Sequence, residues 1–299
     1  MLTQILILEM SKIILGTVQF GLDYGINNKG GKPLYKTIEQ ILDLAYEKKI
    51  IFLDTAEAYG DSQENIGKYH QNSVNSFNVI TKFSPIRKDL PNNILQRIKY
   101  NLNILKVKSL YGYMFHSFID FKTYFSLFKK ELLSLKKEGI IKKIGVSLHS
   151  NKEIEDVLKC KHINLIQLPF NLLDNNNERK KILVKVKRKG IEIHTRSVFL
   201  QGLFFKKLES FQGNLKHLKV YIKQLQKLTS ENIKINDIAL NYAVNQPFIN
   251  GVLIGVDNRS QLKLNLESIK KNIPQSILEY VDSIEVNKKE LLNPINWNL

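Results

Sequence analysis

The sequence predicts an α/β fold in which eight parallel strands alternate with helices and close into a single (β/α)8 TIM barrel. Three observations carry that expectation. Short β-branched runs recur along the 299 residues, each followed by a longer stretch of helical spacing. Strand–helix alternation demands right-handed crossovers and a parallel sheet. No linker rich in Pro, Gly or Ser interrupts the series, so residues 1–299 read as one domain. An open doubly wound sheet is the competing architecture. The first strand–turn segment, LGTVQFGLDYG, speaks against it, because it lacks the G-x-G-x-x-G spacing that cradles a pyrophosphate.

The expected strands cover residues 12–17, 50–55, 77–82, 110–115, 143–147, 163–168, 191–196 and 251–255. Helical patterns fall between them at 37–49, 92–105, 121–138, 176–189, and 215–228 with 235–245. On the first of these, Leu42, Ala45 and Tyr46 have the i, i+3, i+4 spacing of a core-facing stripe. Gly139 and Gly190 stand just past two of the helices, where a left-handed C-cap favours glycine.

Composition sets limits on function. With 43% hydrophobic and 24% charged residues the chain is ordinary globular protein, which excludes wholesale disorder and fibrous structure. Its one cysteine, Cys160, has no intramolecular disulfide partner and no second thiolate for a metal. The expectation is therefore a reduced, cytoplasmic protein without a metal site. His70, His162 and His217 lack metal-ligand spacing as well. Lys+Arg 45 against Asp+Glu 28 gives a formal charge of +17. That excess can mark a nucleic-acid binder, but here it is dispersed along helix faces, and no nucleic-acid partner is expected.

No stretch reaches the roughly 18 apolar residues of a membrane span, so no membrane partner is expected either. The opening MLTQILILEM has no cationic start and carries Glu9 straight after its apolar run, unlike a secretory signal. Residues 1–9 read either as a strand plugging the barrel bottom or as an over-long start ahead of Met10.

In a barrel of this kind, reactive groups sit at the C-terminal ends of the strands. The second expected strand ends in Asp54, with Tyr59 five residues on in LDTAEAYG. The third ends in Lys82, in VITKF, and the fourth leads into His116, in GYMFHSF. Each alone has a bland explanation as a turn residue, a solvated amine or a satisfied core histidine. Together they are specific: a lysine ending a buried strand needs a counter-ion, and Asp54 is on the neighbouring strand. A phenol beside that ammonium can give and take a proton, and His116 is placed to hydrogen-bond a substrate oxygen.

These residues, with LDTAEAYGDSQENIG, ITKF, KKIGVS, IQLPFNLLD and the segment LIGVDNRSQLKLN, resemble the aldo/keto reductase family from Ser11 onward. The resemblance implies a (β/α)8 barrel that binds a nicotinamide dinucleotide and reduces an aldehyde or ketone. The family's catalytic tetrad falls on Asp54, Tyr59, Lys82 and His116, with Tyr59 as general acid. Gly16 and Thr17, beside Asp54, match the turn that admits the nicotinamide ribose, and Ser147 and Gln167 match the carboxamide contacts. The usual Asn after that serine is Leu148 here, with His149 as its possible substitute. Arg196 stands where an aromatic commonly stacks on the nicotinamide, and a planar guanidinium can also stack. Ser197 to Gly202 match the pyrophosphate strap. Residues 255–265, including Gly255, Arg259, Gln261 and Asn265, match the adenosine clamp at a helix N-terminus. Many relatives carry Lys and Arg at the positions of Gly255 and Gln261. Arg259 and Lys263 lie nearby, Arg259 offsetting part of that loss; NADP, with NADPH favoured over NADH, is the family default and is not established by these residues.

Two other functions fit the same barrel. One is a Schiff-base lyase using Lys82, disfavoured because a paired carboxylate keeps that amine charged. The other is a non-catalytic nicotinamide-binding subunit. The substrate is expected to be a small carbonyl compound, anionic or sugar-derived if the basic rim contributes, selected by residues 21–35, the stretch after His116, residues 199–212 and the tail 292–299 with Trp297.

Overall fold

The computed structural model describes residues 11–28 and 30–297. The segment read as a plug strand or over-long start, and Met10 itself, lie outside the described residues. Among those described, parallel strands β1 (Ile13–Gly16), β2 (Phe52–Asp54), β3 (Asn78–Phe83), β4 (Leu110–Phe115), β5 (Ile141–Ser147), β6 (Leu165–Pro169), β7 (Glu192–Arg196) and β8 (Gly251–Gly255) pair in chain order. β8 returns to β1, which closes the barrel.

The strands form because their aliphatic and β-branched residues can be buried on both faces at once. One set points inward: Ile14, Ile80, Met114, Leu165 and Leu253 make a small cluster that fills the barrel axis. The other set packs outward under the helices, as with Leu53, Val79, Val146 and Ile166. Below the axial cluster, Glu192 accepts hydrogen bonds from the Tyr111 hydroxyl (2.9 and 3.0 Å), pairs with Lys143 (3.3 Å) and contacts His194 (2.7 Å).

The helices follow in order: α1 (Tyr35–Glu47), α2 (Ser62–Asn72), α3 (Ile94–Leu105), α4 (Phe118–Lys137), α5 (Asn151–Val157), α6 (Asn176–Arg188), α7 (Lys219–Gln226), α8 (Ile235–Val244), α9 (Arg259–Ile269) and α10 (Gln275–Ser283). Along α1, Ile38, Ile41, Leu42 and Ala45 are buried at helical spacing, as expected. Tyr46 is not. It lies 37% exposed at the margin of the stripe, edge-on to Phe77 at 5.6 Å, where its ring packs and its hydroxyl stays wet. Gly139 (φ +76°) and Gly190 (φ +70°) end α4 and α6 in the left-handed region, as expected from their positions.

The stretch 215–228 is not one α-helix. It begins as a 3₁₀ turn, Gly213–Leu218, which brings Leu215 and Leu218 onto one side at its three-residue period, and only then becomes α7. α2 went unforeseen because its buried face is Ser62, Gln63, Ile66, Gly67 and Tyr69, too polar and too small to give an apolar period. Gly67 explains the small residue: a Cβ there would lie 1.8 Å from the carbonyl oxygen of Ile104, so α2 and the end of α3 touch backbone to backbone. Among the described residues no helix is long and apolar enough to cross a membrane.

Candidate active site

The pairing register brings the decisive strand ends to one level. Gly16 of β1 is the partner of Asp54 on one side and of Gly255 on the other, while Ser147 pairs with Gln167 and Pro169 with Arg196. Above this rim lies a cavity of about 680 Å³.

Asp54 organises its floor. Its backbone oxygen accepts from the N–H and the hydroxyl of Thr17, both at 2.9 Å. Its side chain forms a buried ion pair with Lys82, whose ammonium also donates to the Thr55 oxygen at 2.9 Å. The second carboxylate oxygen accepts from the Gln167 amide at 2.8 Å. Lys82 is 1% exposed and lies behind the cavity wall, with its nitrogen 5.0 Å from the centre of the Tyr59 ring. Burial alone would lower the lysine pKa, but the charge of Asp54, reinforced by Tyr59 and the hydrogen bonds, holds it above the ordinary value. Tyr59 and His116 both line the cavity, their rings edge to face at 5.5 Å. Burial, with Lys82 and Arg196 nearby, pushes the His116 pKa down to about 3, so its imidazole is neutral at ordinary pH.

A second polar network, not anticipated from the sequence, holds the loop that carries Tyr59. Glu57 is fully buried. One of its oxygens accepts from Ser84 N–H (2.9 Å) and from Arg97 Nε and Nη2 (2.9 and 2.7 Å). The other accepts from the Asn101 amide (2.8 Å) and the Tyr113 hydroxyl (2.9 Å). Glu57 was in view in the LDTAEAYG segment, but its partners come from β3, β4 and α3, and nothing in the sequence joins them.

Of the expected cofactor positions, Gly16, Thr17, Asp54, Ser147, Gln167, Arg196, Ser197, Gly202, Gly255, Gln261 and Asn265 all line the cavity. Leu148 is buried away from it, and His149 takes its place in the wall. Arg196 donates to His149 Nε2 at 2.8 Å and forms no ion pair among the described residues. The His149 pKa falls to about 4, chiefly through burial and then through Arg196 and Arg179.

Arg259 differs from the other expected cofactor positions. It is exposed, does not line the cavity and lies on the side of Glu47 in α1, adding slightly to the lowering of that carboxyl that Lys48 mainly causes. As the first residue of α9 it projects outward from the barrel, whereas the wall beside it is made by Asp257 and Gln261.

The strap is strained: Ser197, Leu200 and Gln201 have φ of +61°, +46° and +53° without being glycine. It is fastened to the loop after β1 by Ile26 N–H on the Gln201 oxygen (3.3 Å), Asn27 on the Gly202 oxygen (2.6 Å) and Gln201 on the Tyr24 hydroxyl (2.9 Å).

The cavity wall presents unsatisfied acceptors that suit a dinucleotide. Gln19 Oε1, Gln167 Oε1 and Asp257 Oδ1 are buried acceptors in this wall with no hydrogen-bond partner among the described residues. Acceptors left bare in a polar cleft fit a ligand rich in N–H and O–H donors, as a carboxamide and ribose diols are. Among the described residues no cluster of His, Cys, Asp or Glu could hold a metal.

An eight-stranded parallel barrel with Asp, Tyr, Lys and His converging at its C-terminal rim defines a class of barrel oxidoreductases. The sequence pattern of the aldo/keto reductase family matches residues 12–286, and the chain belongs to that family. It is 26% identical over 223 residues to aldo-keto reductase str7 of Strobilurus tenacellus, covering 69% of this chain and 66% of that protein. It is 24% identical over 285 residues to the uncharacterized oxidoreductase YqkF of Bacillus subtilis strain 168, covering 87% of this chain and 88% of that protein. In structure it is similar to aldo-keto reductase AKR11C1 from Bacillus halodurans, at TM-score 0.74 and 19% identity over 93% of this chain and 94% of that one.

Proposed function

We propose that the chain, as one catalytic domain, reduces an aldehyde or ketone to the alcohol with a reduced nicotinamide dinucleotide, Tyr59 acting as general acid. The observation that carries this reading is the buried Asp54–Lys82 pair set directly behind Tyr59, with His116 beside it in the cavity wall. When bound, the dinucleotide supplies a hydride to the carbonyl carbon. The phenol of Tyr59 donates its proton to the carbonyl oxygen as that oxygen gains charge. Lys82, kept cationic by Asp54, stabilises the phenolate left behind. Neutral His116 offers an N–H that orients the oxygen. Gln167 spends its amide N–H on Asp54, so its free oxygen points to the carboxamide role, with Ser147 paired alongside.

The raised lysine pKa works against the Schiff-base reading, which needs a free amine lone pair. The polar wall formed by Tyr24, Asn27, Asn28 and His149 favours a hydroxylated or anionic, sugar-derived carbonyl compound. A cytoplasmic location belongs to the same proposal, resting on the lone, unpaired Cys160. The family default makes the dinucleotide NADPH; residues at the adenosine end of the cavity argue for NADH.

Tyr59→Phe removes one oxygen and leaves the ring. Carbonyl reduction should fall by about 10²–10⁴-fold, while dinucleotide binding measured by fluorescence titration stays nearly constant. A Tyr59→Phe protein that turns over like wild type, with hydride transfer limiting, would refute the assignment and favour a non-catalytic binding subunit.

A further inference from the structure

We infer that Asp257 makes NADH, and not NADPH, the preferred dinucleotide, by reading the unphosphorylated ribose of its adenosine half. The inference rests on the cavity being a dinucleotide site, as proposed above.

Asp257 lies two residues beyond β8 and immediately before Asn258, which caps α9 by accepting from the Gln261 N–H at 2.9 Å. The carboxylate is held in place. Its own backbone N–H donates to Gln261 Oε1 at 2.8 Å, and Gln261 Nε2 donates back to Asp257 Oδ2 at 3.1 Å. Gln261 therefore spends its amide on Asp257. Gly255 offers no charge, and the Gln19 amide packs over it, 2.5 Å from where a Cβ would stand. Arg259 stands outside the wall, and Lys263 faces Glu267 at 4.0 Å on the outer side of α9. Among the described residues, this end of the cavity is lined by one formal negative charge and by no lysine or arginine.

The hydrogen-bond chemistry points the same way. Asp257 Oδ1 is buried, lines the cavity and has no donor among the described residues. Gln19 is 9% exposed, packs against Gly255, and its Oε1 is equally unpartnered. Two bare acceptors call for donors. A ribose 2′,3′-diol supplies two O–H groups, whereas a 2′-phosphate at neutral pH supplies acceptor oxygens and about −1.5 to −2 of charge. In this wall the phosphate would meet a carboxylate with no cation to offset it. The α9 N-terminus does attract anions, but Asp257 already lies against that first turn.

The test is direct binding to the purified full chain, by calorimetry or fluorescence, with NADH, NADPH, 5′-AMP and adenosine 2′,5′-bisphosphate as probes. Wild type should bind NADH at least about tenfold more tightly than NADPH, the scale of a single charge-assisted hydrogen bond. 5′-AMP should exceed the bisphosphate in the same order. Asp257→Asn keeps an acceptor oxygen and removes the charge, so the NADH/NADPH ratio should fall severalfold, chiefly through tighter NADPH. Equal or tighter NADPH binding by wild type, or a ratio unmoved in Asp257→Asn, would overturn the inference and leave the reductase reading standing. If neither dinucleotide binds, both fall together.

Discussion

Arg97→Met tests how the loop carrying Tyr59 is held. Arg97 is 3% exposed and Glu57 is fully buried, so the substitution leaves a carboxylate in the interior without its counter-ion. It deletes two N–H bonds to Glu57 and the Nη2 bond to the Ser84 oxygen at 2.6 Å. Breaking a buried pair from one side costs about 3–5 kcal/mol. Ser84 N–H, Asn101 and Tyr113 still donate to Glu57, which places the expected loss near the lower end, about 3 kcal/mol. For a chain of this size that corresponds to a melting temperature lower by roughly 5 °C. Urea unfolding followed by circular dichroism measures it. Replacing Glu57 as well, in Glu57→Gln/Arg97→Met, removes the orphaned charge and should recover at least about 1 kcal/mol relative to additivity. Because Glu57 lies between Asp54 and Tyr59, the single variant should also reduce carbonyl compounds more slowly at saturating dinucleotide, with dinucleotide affinity little changed. A loss below about 1 kcal/mol, or a double variant whose loss is simply the sum of the two singles, would refute the account.

Other perturbations give separate readings. In Gly21→Ala the new Cβ would lie 1.8 Å from the Tyr59 oxygen and 2.6 Å from Ser62 N, so the backbone bearing Tyr59 must shift. A displacement of about 1 Å can cost 10²-fold in rate; unaltered kinetics in a folded Gly21→Ala protein would show that this close approach does not position Tyr59. Two histidines of the cavity wall with strongly depressed pKa values predict acid lability. Their folded pKa values of about 3 (His116) and about 4 (His149) lie below the unfolded value, so the unfolded chain takes up protons first as pH falls. Stability is complete above about pH 6.5 and drains away towards pH 3–4, by roughly 5 kcal/mol for His116 and 3 kcal/mol for His149 at the limit. His116→Gln and His149→Gln should each flatten the stability–pH curve between pH 6.5 and 4, and denaturant titrations at several pH values would expose a curve that does not change.

What could be read from the sequence follows from which interactions are local. β-branched runs announce strands, so all eight were legible, with ends displaced by a residue or two; β2 starts at Phe52 because Ile50 and Ile51 precede the ladder and Ile51 is 43% exposed. Asp54, Tyr59, Lys82 and His116 were legible because each is a chemical type that a strand end must justify. α2 was not, since it packs through Gly67 and polar side chains whose burial depends on partners far along the chain. The same holds for Glu57 and Arg97, 40 residues apart. Arg259 shows the opposite limit: which way a side chain leaves the first turn of a helix depends on the helix's rotation against the barrel, and here Gln261 lines the cavity while Arg259 does not.

Asp54 ties these pieces into one device. Its backbone oxygen fixes Thr17 on β1's exit, one carboxylate oxygen fixes Lys82 on β3, and the other fixes Gln167 on β6. Both side-chain partners can only donate where they meet it: an ammonium has no acceptor, and the Gln167 nitrogen has none either. A carboxylate satisfies both at once, whereas an asparagine would set its own N–H against one of them. The charge that keeps Lys82 cationic behind Tyr59 is therefore also what turns the Gln167 amide so that its oxygen faces the cavity. The Tyr59 side of the cavity and its Gln167 side thus depend on a single side chain that is 2% exposed, placed by β2 where β1 and β3 meet it.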